Sequence, residues 1–322
     1  MHNKRQFFVK FFGQLSNDQK NNVSLSNSWD CPTNVTLTEE TYKNNTLLRF
    51  FIGIALDIIP EIRRYNRDFD VEVNMTNVQT DFKDYYQETK KDEITYLNDK
   101  DFDFRSPMLF DSNFGIETNE STYNATLYKD YQYFSGFRSS FRLNDYKHML
   151  YYYCNEDTRV SDCAYGGHYP KSGSKECKCP EYLDPKEKCL NFYKSNGKCG
   201  EKTKFNASSQ EKTHSVNIFG RACYFNITFQ ERKNVTVTIQ KLQINGTLNL
   251  IFTAFLEALV RKDKGAAGLH FNKNISSNIT LPALSHQVFL VVEGKANNIS
   301  LQYSYKEDDS NKTEELKKWE VL

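Results

Sequence analysis

An apolar run from Leu47 to Ile59, followed directly by Pro60, is the feature of this sequence that most restricts its fold. Its apolar residues recur at three- and four-residue spacing, at positions 47, 48, 50, 51, 54, 55, 58 and 59. That spacing places them on one side of a helix. Asn44, Asn45 and Thr46 offer N-cap candidates just before the run. We therefore predict a largely buried helix within 47–65, with an end or a kink at the proline.

Eight cysteines, an even number, lie mainly between Cys154 and Cys223. In a secreted chain this distribution indicates a disulfide framework. A cytosolic zinc site is the alternative, but the sequence holds no C-x2-C pair. The part from Cys163 to Cys189 has few aliphatic residues, so we expect disulfides rather than a hydrophobic core to hold it.

Acceptor sequences for N-glycosylation, N-x-S/T, are far more frequent than the roughly four that chance predicts. They occur at Asn22, Asn34, Asn44, Asn74, Asn119, Asn124, Asn206, Asn226, Asn234, Asn245, Asn274, Asn278, Asn298 and Asn311. The excess predicts a chain that passes through the secretory pathway and carries sugars. The alternative is an Asn-rich sequence with accidental acceptor sites.

Length and charge exclude several classes of protein. The chain has 322 residues, enough for two or three domains. Its net charge of +1 makes nucleic acid a poor candidate partner. The apolar run is too short to span a bilayer. Because no secretory leader is visible at the N-terminus, we expect either that the leader is missing from this numbering or that the sequence begins late.

Several motifs follow one another in a diagnostic order. The segment 23–31 reads V-S-L-S-N-S-W-D-C, Glu61 to Asp68 reads E-x-x-R-x-N-R-D, and Ser106 to Phe110 reads S-P-M-L-F. Gly136 to Lys147 then carries G-x-R and D-x-K. In this order the motifs resemble the astacin family of zinc metalloproteases. The family's zinc motif, H-E-x-x-H-x-x-G-x-x-H-E, ends at the glutamate matched by Glu61.

The resemblance implies that the catalytic side chains are missing. Phe50, Ile54 and Pro60 stand where the family has its three zinc histidines, and Phe51 stands at the general base. None of these side chains offers the N, S or O donor that zinc needs. We therefore predict no catalytic residue, no metal ligand and no cofactor, whereas active members of the family hold zinc. Asp57 matches the glycine of the motif.

Two further positions take their meaning from the same resemblance. Met108 matches the methionine of the Met-turn beneath the metal site, and Phe110 replaces a tyrosine that assists the reaction in the family. Arg63, Arg64 and Arg67 allow two interpretations, a binding patch or a structural cluster of ion pairs. We favour the structural cluster.

The resemblance also implies a multidomain fold. It predicts an α+β, metzincin-like domain over 1–153 that is degenerate and N-terminally truncated, and a small disulfide-rich EGF-like module over 154–190. An all-β, CUB-like sandwich follows over 199–305, where strand-like runs at 235–239, 248–255, 288–292 and 299–305 are separated by polar turns, the pattern of a β-sandwich. A charged tail covers 306–322. The implied disulfides are Cys163–Cys177, Cys179–Cys189 and Cys199–Cys223, while Cys31 and Cys154 either pair with each other or stay free.

These predictions support a secreted, catalytically inactive homologue of an astacin protease. We expect it to bind extracellular protein or matrix partners through the EGF-like and CUB-like modules. One alternative is an active zinc metalloendopeptidase whose sequence is wrongly assembled. Another is an extracellular glycoprotein that acts only as a scaffold.

Overall fold

A computed structural model describes residues 8–13, 20–26, 28, 31–91, 100–129, 131, 140–154, 161–171, 173–229, 233–245, 254–294 and 298–308. Two units are distinguishable along the chain. The first comprises Met1–Cys179 with Gly265–Ala267, and the second comprises Pro180–Lys264 with Gly268–Leu322. The boundary after Cys179 falls inside the range 154–190 that the motifs suggest as one module. Most of the regular structure is β-sheet, with few helices.

The first unit contains a small mixed sheet and a two-stranded ribbon. Its strands are β1 (Val9–Gly13), β2 (Asn22–Ser24), β3 (Thr33–Leu37), β4 (Val71–Val73) and β5 (Tyr123–Ala125). The sheet has the order β1-β3-β2, with β1 parallel and β2 antiparallel to β3. Central strand β3 alternates buried and half-buried residues, and it buries Val35 and Leu37 completely or nearly so. Strands β4 and β5 form the antiparallel ribbon.

Three α-helices complete the regular structure that is described in this unit. They are α1 (Glu39–Lys43), α2 (Asn45–Ala55) and α3 (Leu143–Cys154). Short 3-10 turns occur at Glu61–Arg63, Arg67–Phe69, Met75–Asn77 and Thr80–Tyr86. The Asn44 side chain caps α2 by accepting hydrogen bonds from the N–H groups of Thr46 and Leu47.

Helix α2 is shorter than the apolar spacing predicts, because the chain ends it before Pro60. The N–H of Asp57 donates to the carbonyl of Ile54 at 2.8 Å, and the N–H of Ile58 donates to that of Gly53 at 3.0 Å. These two bonds form a Schellman cap, which needs a left-handed residue at its centre. Asp57 supplies it with φ of 56°. Asp57 thus adopts, at the position matched to the motif glycine, a conformation that favours glycine.

The second unit is a sandwich of two five-stranded sheets. The first sheet has the order β13-β10-β15-β8-β6 and the second β12-β11-β14-β9-β7. Their strands are β6 (Gly197–Lys198), β7 (Lys204–Asn206), β8 (Lys212–Gly220), β9 (Ala222–Thr228), β10 (Val235–Asn245), β11 (Phe255–Leu259), β12 (Leu269–Phe271), β13 (Ile279–Thr280), β14 (Gln287–Glu293) and β15 (Asn298–Glu307). The apolar runs at 235–239, 288–292 and 299–305 fall in β10, β14 and β15. The run at 248–255 lies mostly outside the described residues.

Aromatic side chains join the two sheets face to face. The ring of Phe205 in β7 lies 6.0 Å from that of Tyr303 in β15, and Phe225 in β9 lies 6.2 Å from the same tyrosine. Along β10 the buried residues alternate with half-buried ones from Val235 to Ile239, as expected for a strand with one face in a core. The second unit therefore has the β-sandwich architecture that its sequence pattern predicts.

Strand β14 is buried along six consecutive residues, so both of its faces are covered. Part of the cover comes from the segment that precedes the sandwich. Phe192 stacks on Tyr224 at 5.1 Å and meets Phe289 edge to face at 4.6 Å. The hydroxyl of Tyr182 donates to the buried carboxylate of Glu257 at 2.5 Å.

Disulfides join Cys163 to Cys177 and Cys199 to Cys223. Cys179 and Cys189 are also disulfide-bonded. Cys31 and Cys154 are free and exposed, so the structure adopts the second of the two arrangements that the sequence left open for them.

The segment from residue 69 to residue 104 carries many charged residues, which predict surface loops and short helical turns. It does form short helical turns, but it buries Val78, Tyr86, Phe102 and Phe104. The aromatic residues that alternate with polar ones here therefore contribute to the core. The motif from Gly136 to Arg138 and the tail beyond Asp308 lie outside the described residues. Among the described helices, none has the length and apolar character needed to cross a bilayer.

Exchanging Asp57 should separate backbone strain from side-chain bonding. Asp57→Gly and Asp57→Ala both lose the hydrogen bond that the carboxylate accepts from Tyr152. Only alanine retains the strain of a left-handed residue with a Cβ. We expect the glycine variant to be more stable than the alanine variant by about 1 kcal/mol in urea unfolding. Equal stabilities would show that the cap at this helix end is not strained.

Candidate functional site

Helix α2 carries the positions matched to the zinc site into the interior of the first unit. Phe50 and Phe51 are completely buried, and Ile54 is half-buried one turn further along. Pro60 is buried beyond the helix end. The rings of Phe50 and Phe51 meet edge to face at 5.4 Å. The helix therefore presents hydrocarbon, not imidazole, to the centre of the matched site.

Aromatic rings from distant parts of the chain surround Phe50. We define the aromatic cluster as Phe50, Phe51, Phe82, Tyr85, Phe110 and Phe114. The ring of Phe50 lies 5.3 Å from Phe110, 6.1 Å from Phe114 and 6.3 Å from Tyr85. Phe110 and Phe114 approach each other to 4.6 Å. These separations are typical of packed aromatic pairs, which prefer offset or edge-to-face contacts.

Half of the aromatic cluster was not predicted as part of the site. Phe82 and Tyr85 belong to the 3-10 turn Thr80–Tyr86, in the segment predicted as surface loop, and Phe114 was not singled out at all. The available signal was the density of aromatic residues after the helix. The two phenylalanines at 50 and 110 were predicted only as replacements of active-site groups, whereas in the structure they contact each other.

Zinc does not fit the matched positions. A zinc centre needs N, S or O donors in a tetrahedral shell. The side chains of Phe50, Ile54 and Pro60 have none, and the base position is occupied by the buried ring of Phe51. Across the described residues, no group of three or more His, Cys, Asp or Glu side chains is arranged to hold a metal ion.

Met108 packs against helix α2 at Gly53. It is completely buried, and a methyl group added at Gly53 would overlap its sulfur. Its N–H donates to Ser106 Oγ at 2.9 Å, and its carbonyl accepts the N–H of Glu61 at 2.9 Å. Glycine at position 53 therefore permits the methionine turn to approach the helix backbone closely.

The charged segment after the helix is structural. Arg64 is 1% exposed and pairs with Glu61 at 3.0 Å. Its remaining donors reach the carbonyls of Lys100 at 2.5 Å and Asp101 at 3.0 Å. The guanidinium of Arg67 donates to the carbonyls of Ile62 and Tyr86. These bonds tie the segment to neighbouring loops, and they leave no open arginine patch at Arg64.

A second buried polar contact connects the methionine turn to helix α3. Ser106 Oγ donates to Asp145 Oδ1 at 2.7 Å, and the N–H of Arg142 donates to Asp145 Oδ2 at 2.7 Å. Burial raises the pKa of Asp145 to about 7, although the two hydrogen bonds act in the opposite direction. Burial also raises the pKa of Glu61, and the neighbouring Arg64 guanidinium opposes this effect.

Three of the histidines among the described residues are buried or half-buried in separate elements. His148 is buried in α3, and burial together with Lys100 and Arg64 lowers its pKa to about 2, so it remains neutral. His168 is buried in the disulfide-linked region. His214 packs among aromatic rings of the second unit, and burial lowers its pKa.

Most asparagines of the glycosylation acceptor sites are exposed. Exposed residues are Asn22, Asn44, Asn74, Asn119, Asn124, Asn206, Asn245, Asn274, Asn278 and Asn298. Asn34, Asn226 and Asn234 are half-buried. Asn234 uses its amide nitrogen to donate to the carbonyl of Ala283 at 2.8 Å. Asn311 lies outside the described residues.

Comparisons with known proteins yield weak structural similarity alone. No protein-family model matches the sequence, and no curated protein matches it. The fold is similar to high choriolytic enzyme 1, a hatching-enzyme zinc protease of the medaka fish Oryzias latipes, with 14% identity and a TM-score of 0.33 over 38% of this chain and 59% of that one. It is also similar to the CUB1-EGF-CUB2 domain of human MASP-1/3, with 14% identity and a TM-score of 0.26 over 44% of this chain and 51% of that one.

The chain thus spans only 51% to 59% of the length of these two solved structures. At this level of similarity neither structure assigns an activity.

The contact between Gly53 and Met108 predicts that the effect of Gly53→Ala on stability changes sign when the Met108 side chain is removed. Gly53→Ala should destabilise the first unit by about 1 to 3 kcal/mol, because the added methyl overlaps a buried side chain. In a Met108→Ala background the same change should stabilise by up to about 1 kcal/mol, because alanine favours the helix more than glycine does. Urea unfolding of the four proteins measures both effects. Destabilisation of equal size in the two backgrounds would contradict the proposed contact.

Asp145 predicts a dependence of stability on pH. Its pKa in the folded protein is about 7, above its ordinary value of 3.8, so its contribution is fully present below pH 3.8 and is lost as the pH rises through 7. Relative to Asp145→Asn, the wild type should lose up to about 4 kcal/mol over this interval. Unfolding free energies of both proteins, measured every half pH unit, test this. A constant difference would mean that folding does not change the pKa of Asp145.

Proposed function

We propose that this protein is an extracellular, catalytically inactive homologue of astacin-type zinc proteases that acts by binding other macromolecules. One observation carries the proposal: Phe50 and Phe51 of the aromatic cluster, together with Ile54 and Pro60, stand where the resemblance requires three zinc ligands and a general base. Hydrolysis in such a site needs a metal-bound water and a carboxylate that takes its proton. Phenylalanine rings can supply neither.

The packing around the site supports inactivation by replacement rather than by a single loss. Phe50 contacts three rings of the aromatic cluster besides that of Phe51. A solitary histidine in this apolar environment would leave its ring nitrogens without partners, which is costly. Restoring one ligand would therefore weaken the core without creating a metal site.

The framework around the site supports descent from a protease fold, independently of the missing ligands. The Glu61–Arg64 pair and the Ser106–Asp145 hydrogen bond lie within the motifs that carry the resemblance. Buried polar contacts of this kind are expensive to maintain unless every partner is present. A protease scaffold that kept its framework but lost its catalytic side chains would retain such contacts beside the aromatic cluster.

Two observations support an extracellular location and a binding role. Disulfides persist mainly in oxidising compartments, and six cysteines of this chain are disulfide-bonded. Ten acceptor asparagines are exposed, as glycosylation requires. We assign the binding of extracellular protein or matrix partners to the EGF-like range 154–190 and the CUB-like range 199–305, because the first unit offers no catalytic group at the matched site.

Zinc content tests the proposal directly. The full chain, secreted from eukaryotic cells behind an added signal peptide, should contain far less than one zinc per chain by mass spectrometry. Its melting temperature should not change on addition of a chelator, because no structural or catalytic zinc is lost. Cleavage of a peptide library should be absent as well.

One outcome would contradict it. Stoichiometric zinc that is removed by a chelator together with peptide cleavage would establish an active protease. To locate such zinc, Phe50→Leu serves as a matched control, since it keeps the site apolar. Zinc and activity that survive this change would show that the metal is held by residues other than the matched positions.

A further inference from the structure

Four outward-facing residues form a row across the first sheet of the sandwich. In the antiparallel register Asn245 of β10 pairs with Asn298 of β15, and Asn298 pairs in turn with Phe219 of β8. Phe219 pairs with Lys198 of β6. Directly paired residues of an antiparallel sheet lie on the same face, with Cβ atoms about 4.5 to 5.5 Å apart. All four residues are exposed.

Phe219 is the apolar member of this row and is 53% exposed. The adjacent row on the same face is polar, consisting of Gln243, Ser300 and Asn217, and Ser300 Oγ donates to Asn217 Oδ1 at 2.7 Å. A single exposed phenylalanine is common on protein surfaces. This one, however, lies directly opposite an exposed asparagine in the acceptor sequence Asn298-Ile299-Ser300.

We propose that Asn298 carries an N-linked glycan whose first sugar covers the ring of Phe219. The inference rests on the proposed extracellular function, because glycosylation requires the secretory pathway. In the modification, Asn298 Nδ2 forms a bond to C1 of the sugar, and the bond from C1 to a lipid-linked pyrophosphate donor breaks. The amide gives up one proton, and the pyrophosphate leaves with the bonding electrons.

The geometry selects Asn298 over the other asparagine of the row. Asn298 is on the strand next to Phe219, whereas Asn245 is two strands away. With about 4.8 Å between strands, the ring lies within reach of the first sugar at Asn298, but about 10 Å from the attachment point at Asn245. The C–H face of a pyranose can then cover the aromatic face and remove apolar surface from water.

The register at the strand ends favours the same contact. Asn298 is the first residue of β15, and its partner Phe219 is the second-to-last residue of β8. A glycan attached here leaves the sheet at its end and does not cross the polar rows. The glycan therefore has a defined function: it covers the exposed ring on an otherwise polar face.

A double-mutant cycle on the secreted full-length protein tests the contact. The four proteins are the wild type, Phe219→Thr, Asn298→Gln and the double variant, with site occupancy measured by glycopeptide mass spectrometry. Threonine suits a strand and lacks the ring. We expect loss of the glycan to lower the melting temperature of the second unit by about 2 to 4 °C when Phe219 is present. In the Phe219→Thr background the same loss should have no effect.

Asn245→Gln is the matched control, because it removes a glycan from the same row without touching Phe219. Its effect should be the same in both backgrounds at position 219. In isotope-labelled glycoprotein, protons of the first sugar on Asn298 should show upfield NMR shifts from the ring, and Phe219→Thr should abolish them. A purely structural effect of the substitution would not move these signals.

Each remaining outcome is decisive. An occupied Asn298 with additive effects and no upfield shift would overturn the inference, while the proposed function would stand. An empty Asn298 beside occupied sites elsewhere would also overturn it alone. Absence of glycan at every acceptor site of the secreted protein would overturn the proposal of an extracellular glycoprotein. It would also overturn the contact between a glycan on Asn298 and Phe219.

Discussion

The packing of the helix α2 residues Phe50 and Phe51 against the other rings of the aromatic cluster is the interaction on which the first unit depends. Phe50 inserts among rings supplied by the turn that contains Tyr85 and by the segment that contains Phe110 and Phe114. Fully burying one such ring contributes about 1.5 to 3 kcal/mol, and each well-placed aromatic pair adds about 0.5 to 1.5 kcal/mol. The same burial that stabilises the unit removes any position for a metal-bound water. In the proposed function, stability and loss of catalysis thus have one physical cause.

Buried charges hold the segments that surround this apolar centre. Arg64 bonds to Glu61 and to two backbone carbonyls, so its desolvation is offset by several charge-assisted hydrogen bonds. Ser106 and Asp145 connect the methionine turn to α3 in the same way. Such contacts contribute little when compared with well-packed hydrocarbon, but breaking one leaves an unpaired buried charge. They therefore determine the positions of the loops more than they add to the free energy of unfolding.

The second unit is stabilised by a different balance. Its two sheets meet through aromatic rings around Tyr303, and a disulfide joins Cys199 to the start of β9 at Cys223. Around Ser300 its first sheet presents hydroxyl and amide groups outward, next to the exposed Phe219 and Lys198. A polar outer face on a rigid sandwich suits attachment of sugars and binding of partners better than it suits catalysis. The proposed function accordingly assigns binding to the surfaces of this unit.

The sequence by itself determined the local elements and the lack of zinc donors at the matched positions. Apolar spacing predicted a helix through Phe50, alternation predicted the sandwich strands β10, β14 and β15, and the residue types at the matched positions excluded zinc donors. Only the tertiary structure decided where the helix ends, because the Schellman cap at Asp57 depends on backbone geometry. It also decided that Phe82, Tyr85 and Phe114 join the core and that Phe219 lies beside Asn298, since contacts between distant segments depend on packing and register, which single-chain periodicity does not encode.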